Sequence, residues 1–197
     1  ENYIIKFIAD KLEYEYIKPE EFTKLREIES EYIIKSQLLE AIKRINKVDD
    51  TVAKSVLREV NKKDSNKDFL DAIRNGINLK DSTTGLFRDY KIVDFSALGG
   101  SASGGENQEN NQFVVTNQFY FEGDSENIRP DIMIFVNGLP LVNIEAKSPT
   151  ASEGVSFENG IEQIKRYEKV ARKLFIPNCF NIASDGLKTV YGATGAP

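Results

Sequence analysis

Two apolar segments joined by an Asn-Gly dipeptide constrain the fold of this chain most strongly. The segments are residues 131–136 and 141–147, and Asn137-Gly138-Leu139-Pro140 lies between them. An Asn-Gly pair between apolar segments is a strong signal of a β-hairpin, because both central residues of the favoured turn need a positive φ angle. We therefore expect two neighbouring strands of a β-sheet at this place in the chain.

Three ionisable residues lie at the open end of this hairpin. Asp131 begins the first strand, and Glu145 and Lys147 end the second, on one face because side chains alternate along a strand. A turn that pairs Val136 with Pro140 would set the register. Asp131 would then lie opposite Glu145, with their Cβ atoms about 4.5–5.5 Å apart. Buried strands seldom carry charged groups that lack a partner or a task.

Two adjacent carboxylates indicate a cation between them, because they repel each other when both are charged. Lys147 supplies one cation, and Mg²⁺, which prefers oxygen ligands, is a second candidate. Asp131, Glu145 and the backbone carbonyl of Ala146 form a suitable ligand set. A metal there would polarise a phosphodiester and activate a water, while Lys147 orients that water or helps to remove its proton. The alternative is a structural salt bridge between Lys147 and one carboxylate.

The amino-acid composition excludes several kinds of catalytic and metal site. The chain has no histidine, which excludes Ser-His-Asp and Cys-His catalysis and histidine metal ligands. The single cysteine, Cys179, cannot form an internal disulfide or a Cys-rich zinc site, which favours the cytoplasm. The net charge of −5 argues against a free-standing nucleic-acid binder, because phosphate binding depends on Lys and Arg. If DNA is the substrate, we expect another part of a larger protein to hold it.

The hydrophobic period changes from helical to strand-like along the chain. A helical N-terminal part (1–80) and a core (90–191) predict one α/β or α+β domain over 1–197, with a central mixed sheet flanked by helices. A Gly/Ser-rich stretch, 97–111, is expected to be a mobile loop. No apolar run reaches the roughly 20 residues of a membrane span, so we expect a soluble protein without a membrane partner. The predicted helices are 20–46, 50–61, 66–75 and 157–174, and the further strands are 92–95, 112–121, 179–183 and 189–191.

The residues around the hairpin resemble a known family, the N-terminal endonuclease domain of type I restriction enzyme R subunits, in the PD-(D/E)xK nuclease superfamily. The resemblance covers about residues 92–186, and the flanking segments 111–119 and 184–186 are also similar. It rests on the following motifs: Arg129-Pro130-Asp131, Asn137-Gly138-Leu139-Pro140, Ile144-Glu145-Ala146-Lys147-Ser148-Pro149, Gln163 and Tyr167.

The resemblance implies a restriction-endonuclease-like fold and Mg²⁺-dependent hydrolysis of double-stranded DNA. It implies that Asp131 and Glu145 bind Mg²⁺ and that Lys147 is the catalytic lysine. Gln163 and Tyr167 would form the Gln-x-x-x-Tyr element of the family. Their spacing of four puts both side chains on one helical face, where they could contact the phosphate backbone or brace the lysine.

The resemblance also suggests what lies outside the hairpin. Related nucleases often supply a further acid from an early helix, and Glu31 and Glu40 are candidates, although a solvated helix face is the alternative for each. In the family the polypeptide continues into an ATP-driven translocase and docks on methyltransferase and specificity subunits. This chain has no Gly-x-x-x-x-Gly-Lys-Ser/Thr loop, so we expect ATP to bind the full-length protein elsewhere.

The rival functions are of two kinds. One is a non-catalytic DNA-sensing or subunit-docking domain that retains the nuclease fold. The other is an unrelated nuclease of the same superfamily, such as a repair or transposon-resolving enzyme. For the R subunit we expect weak or no cleavage by this chain alone, because the translocase would hold the DNA.

Overall fold

The computed structural model describes residues 1–81, 84–96, 110–148 and 156–196. The helices are α1 Asn2–Leu12, α2 Pro19–Thr23, α3 Lys35–Asn46, α4 Asp50–Val60, α5 Asn66–Asn75 and α6 Phe157–Val170, followed by a short 3₁₀ helix, Arg172–Phe175. The strands are β1 Glu15–Tyr16, β2 Ile77–Lys80, β3 Phe87–Tyr90, β4 Phe113–Asn117, β5 Ile132–Val136, β6 Leu139–Ala146, β7 Phe180–Ser184 and β8 Thr189–Gly192. No helix of the described residues is long and apolar enough to cross a membrane.

Among the residues that the structure describes, six strands form one mixed sheet in the order β1-β4-β5-β6-β7-β8. β1 runs parallel to β4 and β6 parallel to β7, whereas β8 is antiparallel to β7. Past the end of β4, the Gln118 N–H donates to the Asp131 carbonyl at 2.9 Å and the Phe119 N–H to the Pro130 carbonyl at 3.1 Å, an antiparallel pattern. The predicted α/β class with a mixed central sheet and helices is therefore confirmed.

The chain divides into two compact units. The first comprises Glu1–Tyr32, Phe113–Phe135 and Pro140–Pro197, and the second comprises Ile33–Gln112 and Val136–Leu139. In the first unit, α1 contacts β4 and α6 contacts β7. In the second, α3 packs on α4, and β2 pairs with β3 in a separate two-stranded sheet.

Buried aromatic rings form the centre of the first unit. Phe22, Phe119 and Phe135 lie in mutual contact, with ring centroids 4.6–5.6 Å apart. Such pairs contribute about 0.5–1.5 kcal/mol each beyond the apolar area that they bury. α6 begins in a capping box at Ser156. It approaches the sheet closely at Gly160, where a Cβ atom would lie 3.1 Å from the Cβ atom of Ala183.

The Asn-Gly turn has a local explanation in the second unit. Asn137 and Gly138 adopt φ angles of 53° and 79°, as the predicted turn requires. The Asn137 side chain is fully buried and satisfied, since its amide donates to the Ile92 carbonyl at 3.0 Å and its oxygen accepts from the Gln112 N–H at 2.8 Å. The turn has two residues, so β6 begins at Leu139, one residue earlier than the predicted pairing with Pro140 required.

Other elements agree with the sequence pattern to different degrees. The strand at 112–121 is present but ends at Asn117, and the loop expected at 97–111 falls mainly on 97–109, outside the described residues. α1 and the strands β1, β2 and β3 were not predicted. The predictions of α4, α5, α6, β5, β6, β7 and β8 are confirmed, within a few residues at their ends.

Two predictions from the hydrophobic period are wrong. The single helix at 20–46 is broken into α2 and α3, because the Arg26 guanidinium between them donates to the carbonyls of Glu29 and Tyr120 at 3.0 and 2.9 Å. Residues 92–95 form a bend and an irregular segment and no strand, since the Asp94 carboxylate accepts from the Ser96 N–H at 2.9 Å. In both places, side-chain hydrogen bonds override the local pattern.

Candidate active site

The hairpin brings the two predicted carboxylates together at its open end. Asp131 immediately precedes β5, and Glu145 lies in β6. The Asp131 Oδ2 atom accepts from the Ala146 N–H at 2.9 Å, and the Glu145 Oε1 atom lies 3.4 Å from the Asp131 nitrogen, which donates to it. Backbone groups of each segment therefore bind the carboxylate of the other, and this fixes both side chains.

Lys147 lies between the two carboxylates. Its Nζ atom is 3.7 Å from Asp131 Oδ2 and 3.5 Å from Glu145 Oε2. Its backbone N–H donates to the Ser184 carbonyl at 2.7 Å, which extends the pairing of β6 with β7 past Ala146. The Lys147 side chain is 15% exposed, Asp131 14% and Glu145 0%, so solvent screens these charges less than it screens surface ion pairs.

A chain of hydrogen bonds from α6 holds the lysine. The Lys147 Nζ donates to Gln163 Oε1 at 2.6 Å, and the Gln163 amide donates to the Tyr167 hydroxyl at 2.6 Å. That hydroxyl donates in turn to the Arg129 carbonyl at 3.3 Å. The four-residue spacing of Gln163 and Tyr167 on α6 thus produces the geometry of a brace for Lys147.

The electrostatics of the cluster are dominated by Glu145. The pKa of Glu145 is raised to about 8, mainly by burial and also by the negative charge of Asp131, while Lys147 opposes the shift. Burial also raises the pKa of the Tyr167 hydroxyl, as does the negative charge of Glu145. The neutral form of Glu145 is therefore favoured at neutral pH when no further cation is bound.

Comparison with known proteins places the chain in a family. The sequence model of a protein family, described as the type I restriction enzyme R protein N terminus, matches residues 1–197. The chain belongs to this family. It is 34% identical to the putative type I restriction enzyme MjaVIIIP endonuclease subunit of Methanocaldococcus jannaschii, over 74% of this chain and 14% of that protein.

Two further relatives of the R protein family show the same relationship. The putative type I restriction enzyme MjaIXP endonuclease subunit of Methanocaldococcus jannaschii is 30% identical over 98% of this chain and 19% of its own length. The type I restriction enzyme HindI endonuclease subunit of Haemophilus influenzae is 30% identical over 81% of this chain and 15% of its own length. The chain thus spans less than a fifth of each of these relatives.

The carboxylate oxygens of Asp131 and Glu145 are suited to bind a divalent cation. Glu145 Oε2 is buried and has no hydrogen-bond donor among the described residues, although Lys147 is near enough for an ion pair. Two neighbouring carboxylates are hard oxygen donors of the kind that Mg²⁺ accepts together with water. Within the described ranges, no group of three or more His, Cys, Asp or Glu side chains could hold a metal ion. The candidate ligands are therefore those that the sequence suggested, the carboxylates of Asp131 and Glu145 and the carbonyl of Ala146.

The two candidate acids from the early helices make other contacts. The Glu31 carboxylate lies outside a helix and accepts from the Glu27 N–H at 2.8 Å. Glu40 is on an exposed face of α3 and pairs with Lys43 at 2.9 Å. These contacts support structural roles, and we do not include either acid in the proposed site.

The structure adds a residue that the sequence reasoning missed. The Gln118 amide donates to Asp131 Oδ1 at 3.3 Å and to Glu1 Oε1 at 2.8 Å. The sequence signal for it is weak. The polar pair Asn117-Gln118 interrupts an otherwise apolar run, and nothing in the local pattern indicates that this run ends beside Asp131.

Proposed function

We propose that this chain is the endonuclease domain of a type I restriction R subunit and that it hydrolyses phosphodiester bonds in double-stranded DNA with Mg²⁺. The observation that carries the proposal is the cluster of Asp131, Glu145 and Lys147, within hydrogen-bond or ion-pair distance of one another. Its occurrence in a member of the R protein N-terminal family, with relatives that are named endonuclease subunits, supports the same reaction.

The metal would be held by the carboxylates of Asp131 and Glu145 and the carbonyl of Ala146. When bound there, Mg²⁺ supplies a Lewis acid for the scissile phosphate and favours ionisation of an attacking water. In the metal-free site, a fully buried carboxylate, Glu145, lies beside the partly exposed carboxylate of Asp131, at a cost in free energy that the Lys147 ammonium offsets only in part.

Lys147 is the group of the chain that would contact the reacting atoms. Its ammonium has three protons, and Gln163 accepts one of them at 2.6 Å. A phosphate oxygen or the attacking water can accept another, so Lys147 would orient the nucleophile and stabilise the negative charge that develops on the phosphate. Tyr167 holds Gln163 and thereby limits the positions that Nζ can reach.

The remaining steps belong to a longer protein. We propose that an ATP-driven motor outside this chain translocates DNA before cleavage, and that methyltransferase and specificity subunits complete the enzyme in the cytoplasm. This division of labour accounts for the net charge of −5, because the other parts would supply the cations that bind DNA.

Calorimetric titration of the chain with Mn²⁺ or Mg²⁺ tests the metal site. We expect binding by the wild-type chain and none by Asp131→Ala. The ion pairs of Lys147 are the observation that favours the rival, a DNA-sensing or docking domain stabilised by a structural salt bridge. That rival predicts no metal binding by either protein, and this result would refute the proposed catalytic site.

A further inference from the structure

Gln118 has a left-handed backbone conformation, which residues other than glycine rarely adopt. Its φ angle is +48°. Such a conformation costs free energy and persists only where surrounding contacts hold it, often at a functional site. The other described non-glycine residues with positive φ have local reasons, since Glu13 and Lys47 end helices and Asn137 forms the hairpin turn. Gln118 does neither, because it follows β4 directly.

With this backbone conformation, the backbone N–H and the side-chain amide of Gln118 both donate hydrogen bonds to Asp131. The backbone N–H donates to the Asp131 carbonyl at 2.9 Å, and the side-chain amide donates to Asp131 Oδ1 at 3.3 Å. The other carboxylate oxygen, Oδ2, accepts from the Ala146 N–H. Donors from two different segments therefore fix the two oxygens of one carboxylate, which limits the rotation of that side chain.

The chemistry of the amide suits this task. A neutral N–H donor orients a carboxylate without adding a positive charge that would compete with a bound cation. The remaining lone pairs of the carboxylate stay available, because each oxygen can accept more than one bond. The same Gln118 amide nitrogen also donates to Glu1 Oε1 at 2.8 Å, so the amide lies between two acidic groups.

We propose that Gln118 is a positioning residue, which holds the Asp131 carboxylate in the orientation that binds the metal. This inference rests on the proposed function of the site. The competing explanation is purely structural, because Gln118 also links the sheet to Glu1 at the start of α1. The two explanations differ in whether metal affinity depends on the amide or only on the stability of the fold.

Two substitutions separate the effect of losing the amide donor from the effect of relieving the backbone strain. Gln118→Met keeps the length of the side chain and the strained φ angle but removes the donor. Gln118→Gly removes the donor and also relieves the strain, because glycine adopts positive φ readily. Glu13→Gly is the matched control, since it relieves a φ angle of 59° at the C-terminal end of α1.

Mn²⁺ affinity by calorimetry and the Tm of each metal-free protein in EDTA are the measurements. We expect both Gln118 variants to bind Mn²⁺ about 10- to 100-fold more weakly than the wild type, as is typical when a partner of a metal ligand is removed. The Tm of Gln118→Gly should stay above that of Gln118→Met, and Glu13→Gly should bind Mn²⁺ like the wild type. The loss of Mn²⁺ affinity would then not correlate with a loss of thermal stability.

The outcomes that would overturn the inference are distinct from failure of the proposed function. Wild-type affinity in the folded Gln118→Gly variant would show that the amide has no role at the metal site, while the proposed function would stand. A loss of Mn²⁺ affinity that occurs only in variants with a lowered Tm would likewise overturn the inference and leave the proposed function standing. Absence of Mn²⁺ binding by the wild-type chain would overturn the proposed metal site and this inference together.

Discussion

Glu145 has an unfavourable environment for a charged side chain. Its carboxyl group is fully buried, next to a second carboxylate, and one of its oxygens has no hydrogen-bond donor among the described residues. A purely structural ion pair would need only one acid for Lys147. The second acid raises the free energy of the metal-free cluster, and a divalent cation would relieve the repulsion between the two carboxylates.

The raised pKa of Glu145 predicts that the metal-free domain loses stability as the pH rises. The folded pKa of about 8 lies above the ordinary value of 4.5, so the folded state binds more protons between these pH values. The stabilising contribution is complete below about pH 4.5 and is lost as the pH rises through about 8. Tm measured against pH in EDTA should therefore fall more steeply for the wild type than for Glu145→Gln. Parallel curves would contradict this.

At the scale of single elements, α6 contacts Lys147, the lysine proposed to be catalytic. The helix begins in a capping box and packs closely against the sheet at Gly160. This packing brings the Gln163 side chain within hydrogen-bond distance of Lys147. The order of the elements thus explains why a Gln and a Tyr four residues apart can act on a lysine in a strand. The brace is a property of the packed helix rather than of the motif alone.

Loss of the brace should reduce the rate of cleavage more than metal binding. For Gln163→Ala we expect cleavage by the assembled enzyme to fall about 10- to 100-fold, because Lys147 loses its fixed position. Tyr167→Phe should have a smaller effect in the same direction. Mn²⁺ affinity should change little, since Asp131 and Glu145 are intact. Glu162→Ala, on an exposed position of the same helix, is the control, and an equal loss of cleavage there would contradict the brace.

The hairpin turn should be sensitive to a single methyl group. A Cβ atom on Gly138 would lie 2.5 Å from the Ile34 carbonyl oxygen, at a φ angle of +79°. We expect Gly138→Ala to lower the free energy of unfolding by about 2–3 kcal/mol. Gly85 has a φ angle of +71° with nothing within 4 Å, so Gly85→Ala should cost only about 1 kcal/mol. Equal losses in urea denaturation would refute the steric explanation.

The sequence could predict these elements where the cause is local. The Asn-Gly turn between two apolar segments predicts the hairpin, and the helical period of apolar residues predicts α6. The motifs within them point to Asp131, Glu145 and Lys147. It could not predict the break between α2 and α3, because Arg26 binds the carbonyl of Tyr120 from a distant part of the chain. Gln118 was missed for the same reason, since its partner Asp131 is reached only through strand pairing.

At the scale of the whole molecule, this chain combines a compact candidate active site with an excess of negative charge, which opposes DNA binding. The net charge is −5, and the chain spans 14–19% of the three relatives compared. Non-specific DNA affinity depends on Lys and Arg that neutralise phosphates. The proposed enzyme therefore needs further parts to bring the substrate to Asp131 and Glu145.

The isolated chain should accordingly cleave plain duplex DNA weakly or not at all. Nicking of supercoiled plasmid by the chain at low micromolar concentration with Mg²⁺ is the measurement, with Asp131→Ala as the blank. Rapid cutting by the wild-type chain would show that the site needs no other part of the protein to engage DNA.

Cleavage of duplex DNA by the full-length subunit, assembled with its partners and supplied with ATP and Mg²⁺, tests the central claim most directly. Wild type and Lys147→Ala are compared, with ATP hydrolysis followed in the same reactions. We predict that Lys147→Ala reduces cleavage at least about 100-fold while ATP hydrolysis is unchanged, because only transition-state stabilisation is removed. Cleavage by Lys147→Ala at the wild-type rate would contradict the assignment of the active site.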